Sequence, residues 1–493
     1  PVIMTSANDV ATWDGSVVTY DGNDVNDIIT MGDPKTGTWR PACNEWGNLT
    51  LMGEALISAS HYGDAIVSYV DGAGAPAVNN SKCPTGLNKK IMEGLTATFT
   101  GDPNVLYGGD NDDDDSGCIR YLSLRYGGKV IELQNELNGL SLGAIGRGTE
   151  ISHVEIMNNV DDGIEIWGGT VDLDHISIWN IGDDSLDIDE GYRGCIEYGI
   201  IVQGYCADAS QGSGVGDNCF ETDGAEDADA QPMTTTRIKY FTVIGQPDGD
   251  FGTCWRDNAR VQYKSCIWMD LGDDLVGFDN TDGDGANGYD GLESEAPYKS
   301  SNWVSTNPIR ISSADGTMSW RDTWQTDFAT WAGSAWADPR GCEYDPNDLY
   351  RFLCCCCEPP AKLAQITNSV FYNVKRYNEA DVVGVTSAGG YNGLQAATNV
   401  KEPADMPIQK IVRGPQVLPG GKKMEPVILL NPISTADAFT KGAGGFSCGD
   451  NWLTDWTAAD SYGMIDRSNS DLNCDDDINL FDFAEFAEDW LLI

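Results

Sequence analysis

Residues 179–191 read WNIGDDSLDIDEG and place five acids in thirteen positions. Closely set carboxylates do the acid–base work of many sugar-cleaving enzymes. They also make turns and hold calcium. If the chain is an enzyme, Asp183, Asp184, Asp187 and Asp189 are the residues that would carry the chemistry. A DD pair that recurs along the chain is first of all a turn device, and such recurrence is present.

A second acid cluster has sharper spacing. Residues 471–492 read DLNCDDDINLFDFAEFAEDWLL. As a twelve-residue loop, this stretch puts Asp471, Asn473, Asp475, Asp477, Asn479 and Asp482 at positions 1, 3, 5, 7, 9 and 12. That is the spacing of an EF-hand calcium loop. An amphipathic helix is expected after it, with Phe483, Phe486, Ala487 and Trp490 on one face. Asp476 stands at position 6, where glycine usually makes the sharp turn. A weaker loop, NTDGDGANGYDGLESE at 280–295, offers Asn280, Asp282 and Asp284 but has Gly291 where the closing acid belongs. The cofactor these loops imply is Ca²⁺.

Bulk composition narrows the classes. The chain has 493 residues with 77 acidic against 30 basic side chains, a formal net charge of −47. Such a surface excludes nucleic acid as a partner. No apolar run is long enough for a transmembrane segment. Hydrophobic residues at 41% still provide for a core. Fifteen cysteines, without haem or zinc spacing, favour disulfides in an oxidising compartment. The opening PVIMTSANDV has no initiator Met, so a secreted chain with its leader removed is expected. There are three histidines. His153 and His175 recur at one phase where other coils place Tyr or Ser, so they are expected to be ladder residues rather than catalytic bases.

The positioning elements emerge from a repeat. HVEIMNNVDDGIEIWGG begins at His153 and HISIWNIGDDSLDIDEG begins 22 residues later at His175. YFTVIGQPDGDFG (from Tyr240) and SCIWMDLGDDLVGFDN (from Ser265) share the pattern. An Asp follows the first position by eight residues in each: Asp161, Asp183, Asp248 and Asp273. Short alternating strands with Gly/Asp/Asn turns at this period predict a parallel β-solenoid. YLSL (121–124) and YGII (198–201) predict further strands of the same kind.

Residues 107–194, with EWGNLTLMGEA (45–55) and GDNWLTDWT (449–457), resemble large secreted bacterial right-handed parallel β-helix proteins with a pectate-lyase-like fold. The resemblance implies a mostly β chain at the cell surface. The 471–482 loop resembles a single dockerin type I repeat. Polygalacturonase-like hydrolases carry several Asp on one face, a G-H-G and an R-I-K. Here ETDG (221–224), GDDS (182–185) and RIK (237–239) are present and G-H-G is missing. The expected organisation is an N-terminal strand or cap (1–40), a β-helix core (41–295), a Trp- and Cys-rich insertion (296–360), remaining coils with a C-terminal cap (361–464) and a calcium repeat (465–493).

Three functions compete. The favoured one is an extracellular structural protein of a filament, sheath or surface layer, assembled from copies of itself and stabilised by calcium and disulfides. The strand-like GSVVTYDG (15–22) would be donated between subunits. The alternatives are a carbohydrate-active β-helix enzyme, a lyase or a glycoside hydrolase, and a glycan- or cohesin-binding module. An extracellular polysaccharide is a partner in either case.

Overall fold

The computed structural model describes residues 1–13, 37–57, 89–95, 103–109, 111–131, 136–206, 216–224, 234–256, 259–278, 365–378, 399–435, 438, 442–447 and 449–467. The donor segment 15–22, the loop with Asn280, Asp282 and Asp284, the 296–360 insertion and the calcium loop Asp471–Asp482 lie outside them.

Two parallel sheets run the length of the coil stack. The first is built from Val2–Met4, Cys118–Arg125, Glu150–Met157, Leu173–Trp179, Cys195–Val202, Thr235–Ile244, Ile267–Met269, Val370–Tyr372 and Val400–Lys401, with Arg260–Lys264 and Gln365–Thr367 alongside. The second is built from Leu49–Met52, Leu140–Gly143, Ile164–Trp167, Leu186–Asp189, Phe220–Asp223, Thr253–Arg256, Asp274–Phe278 and Arg376–Asn378. Each successive coil adds one parallel rung to each sheet, which is the expected parallel β-helix.

Alternation explains the packing. In the first sheet Leu124, Ile156, Ile178, Ile201, Val243, Trp268 and Phe371 are in register and buried. They face Leu142, Ile166 and Ile188 of the second sheet in one core. No coil can cover its own apolar row, so stacking at about 4.8 Å does it. At one rung a large ring replaces a pair. Gly199 lies in register with Phe241, and a Cβ there would meet the ring at 2.2 Å.

The first sheet is also apolar on its outer side. Met157, Trp179, Val202, Ile244 and Met269 pack there against the C-terminal segment, which contributes the antiparallel pair Ile408–Arg413 and Val427–Ser434, then Phe446, Leu453, Ala458 and Ala459. Cys43, Cys118, Cys219, Cys254 and Cys266 are free thiols. Cys219 and Cys266 are fully buried core residues, where a thiol behaves as a small apolar group. The disulfides expected from the cysteine count are therefore not made by these five. Among the described residues no helix is long and apolar enough to cross a membrane.

Candidate functional site

The acids gather on the outward face of the second sheet. Strand alternation points Glu165, Asp187 and Glu221 out at one level, in direct register. Ser141 precedes them and Cys254 follows. Two residues on, Trp167, Asp189, Asp223 and Arg256 form a second outward row. The turn entering each strand adds the corner acids. Asp161, Asp183 and Asp217 stand four residues before Glu165, Asp187 and Glu221 respectively.

The corner follows a different count from the sequence expectation. The register of the second sheet continues the corner row through Asp250 and Asp273, so Asp248 is not part of it. The turn after Ile244 reaches its corner acid two residues later than those after Met157, Trp179 and Met269, and Asp248 instead accepts a hydrogen bond from Lys423 N at 2.8 Å.

The two members of each DD pair differ in role. Asp162 Oδ1 accepts from Asp184 N at 3.0 Å, and Asp184 Oδ1 accepts from Asn218 N at 2.7 Å. These inner acids are rungs that join consecutive turns, as a turn device should be. Asp184 is therefore a structural member of the four sequence candidates. Asp189 also turns to its own backbone, accepting from Glu190 N. Asp183 and Asp187 are half-buried and face the outer row. Asp187 Oδ1 is itself buried without a hydrogen-bond partner.

The carboxylates crowd one another. Ligand oxygens of Asp161, Asp162 and Asp183 lie within 4.8 Å of one another, and so do those of Asp162, Glu165 and Asp187. Burial, reinforced by the neighbouring acids, raises the carboxyl of Asp161 to about 8 and that of Asp183 to about 9. Burial and Glu221 raise Asp187 to about 7, with the Arg256 guanidinium pulling the other way. Asp162, Glu165 and Asp184 are shifted upward for the same reason, burial first. Arg256 pairs with Glu221 and stands 3.3 Å from Asp223 Oδ2. Asn138 Nδ2 donates to Glu165 Oε2 and Asn218 Nδ2 to Glu221 Oε2.

Such a row can do two kinds of chemistry. A carboxyl that keeps its proton near neutrality beside a charge-compensated carboxylate is an acid–base pair. An all-oxygen set of three acids also suits a hard divalent cation such as Ca²⁺, and does not suit a metal that selects thiolate.

The structure brings together what the sequence kept apart. ETDG (221–224) supplies Glu221 and Asp223, one coil from Asp187 and Asp189 of the GDDS stretch. RIK (237–239) lies on Thr235–Ile244 of the other sheet, where Lys239 pairs with Glu197 at 2.9 Å. Glu165 and Arg256 were not singled out from sequence. For Glu165 the signal exists: DDGIE, DDSLD and DNCFE repeat one pattern at 161, 183 and 217. His153 and His175 are ladder residues on the other sheet, away from this face.

Residues 87–279 match the family described as pectate-lyase like beta helix domain, and the whole acidic row falls inside the match. No curated protein and no solved structure matches the chain. The matched stretch is thus similar to a family of β-helix domains.

Proposed function

We propose that this chain is a carbohydrate-active β-helix protein that cleaves glycosidic bonds on the outward acidic row. The observation that carries the reading is the in-register ladder Glu165–Asp187–Glu221 flanked by Asp161 and Asp183. Asp187 is the proton donor and acceptor, because its carboxyl titrates nearest neutrality. Glu221, in register beside it and paired with Arg256, is the second carboxyl of the site. The family match supports this, since β-helix domains of the pectate-lyase type are often carbohydrate-active. A polysaccharide outside the cell is the substrate class. The test is release of reducing ends from neutral and acidic polysaccharides by the full chain and by Asp187→Asn. Activity lost in the variant supports the assignment; equal activity in both removes it. Absorbing unsaturated products would reassign the chemistry to elimination.

A second reading rests on the crowding. Two acid triads of cation-binding size fit an extracellular structural protein held together by Ca²⁺, with the Asp471–Asp482 loop as its tail site and copies of itself as partners. Electron microscopy of the full chain with and without a chelator tests it. Ordered polymers that loosen on chelation would favour this reading, and monomers in both states would reject it.

A further inference from the structure

The first sheet carries a column of rings on its outer edge. Tyr121, His153, His175, Tyr198 and Tyr240 come one per coil, and all five have φ between 54 and 57°. A left-handed residue at the same point of each coil sends each side chain out the same way, so the rings stack. Centroids of His153 and His175 are 4.4 Å apart with a 7° interplanar angle. Tyr121 and Tyr198 sandwich the pair at 4.3 and 5.1 Å.

The C-terminal strap, residues 443–447 and 449–467, crosses over this pair. Trp452 meets His175 edge-on at 5.0 Å, and Trp456 meets His153 at 5.9 Å. Beside them the short helix Ala458–Ser461 starts on the buried Glu155 carboxylate, which accepts from Ala458 N and, at 3.2 Å, from Ala459 N. His153 Nδ1 is buried and has no hydrogen-bond partner. A ring held this way is held neutral.

The charges that face the pair come from each neighbouring element. Arg120, paired with Glu150, sits on the Tyr121 side. Asp174 contacts His175 Nδ1 from the same strand. The Glu197–Lys239 pair lies beyond, on the Tyr198 side. From the strap, Asp450 acts on His153, while Asp455 and Asp460 are bound to Arg467. Burial lowers both imidazoles, and Arg120 adds to this at His153. Asp450 opposes it at His153, and Asp174 is the carboxylate in contact with His175. One proton can therefore be matched by a carboxylate, and a second would put two cations 4.4 Å apart under the tryptophans.

We propose that the His153–His175 stack is an acid-sensitive latch for the C-terminal strap. With the rings neutral, the strap closes over them through Trp452 and Trp456. When both are protonated, mutual repulsion and the demand for water lift the strap from the sheet. Groups whose folded pKa is depressed stabilise the closed state above the ordinary histidine value of about 6.5, and that stability is lost as pH falls below it.

Hydrogen exchange of the full chain at about pH 8 and about pH 5, corrected for intrinsic rates, tests the latch. Protection of residues 443–467 should fall about tenfold or more at the acid pH, the effect of one pKa unit. The first-sheet strand Arg260–Lys264 serves as the internal reference. His153→Tyr and His175→Tyr, each the residue type of the adjacent rungs, should each reduce the dependence, and the double variant, with no imidazole left, should abolish it. Glu155→Gln should retain it. Equal protection of the strap at both pH values would overturn the proposal, and so would a dependence that survives in the double tyrosine variant or disappears in Glu155→Gln.

Discussion

At the residue scale, Asp187 of the outward row and Asp184 of the adjacent DD pair have separate jobs, and substitution should separate them. Asp187→Asn should lower glycosidic cleavage by about 10²–10⁴, the usual worth of a general acid or base, with the fold intact by circular dichroism. Asp184→Asn keeps an acceptor for Asn218 N and should leave stability nearly unchanged. Asp184→Ala orphans that buried amide and should lower stability by about 1–3 kcal/mol in denaturant titration. Arg256 tests the electrostatics. Its guanidinium is what pulls Asp187 down, so Arg256→Gln should move the pH profile of cleavage upward by about one unit. A profile that stays in place would disconnect Arg256 from the proton on Asp187.

At the element scale, the acidic row and the apolar rows make opposite contributions. Asp161, Asp183 and Asp187 have folded carboxyl values raised above the ordinary Asp value. Their contribution to stability is full below about 4 and is lost as pH rises towards 7–9. In a chelator, unfolding of the second-sheet coils should become easier across that window, and millimolar calcium should reverse the trend. Hydrogen exchange of Ile164–Trp167 and Leu186–Asp189 reads this directly. The apolar row tolerates less. Gly199→Ala would press a Cβ into the Phe241 ring and should destabilise by about 1–3 kcal/mol, measured by thermal or denaturant unfolding.

At the scale of the whole molecule, the C-terminal segment is a second layer over the first sheet. Val427, Leu430, Phe446, Leu453 and Ala459 bury Met157, Trp179, Ile244 and Met269. A chain ended at residue 399 would expose that apolar face. We expect it to bind a hydrophobic dye and to self-associate in size-exclusion chromatography; a monomer that binds no dye would show that the layer is dispensable. Head-to-tail assembly through the ends of the coil stack is a separate matter, decided by microscopy.

Much of this was legible in the residues. The 22-residue spacing of His153 and His175, the alternation of Ile and Val, and the DD turns define a parallel solenoid, because a coil that cannot bury its own face must stack. Those local patterns also identify His153 and His175 as ladder residues and Asp183 and Asp187 as site candidates. Register was not legible where turn lengths change. The longer turn at 245–250 displaced Asp248 from the corner row, and only strand pairing shows that Arg256, from a separate stretch of chain, joins Asp187. The sequence by itself thus determined the coil, its inward face and its acid-rich turns, which depend on neighbours a few residues away. The tertiary structure decided which acids share one face, which of them cap turns and which lie against one another, because carboxylate crowding depends on distances across coils that no local pattern encodes.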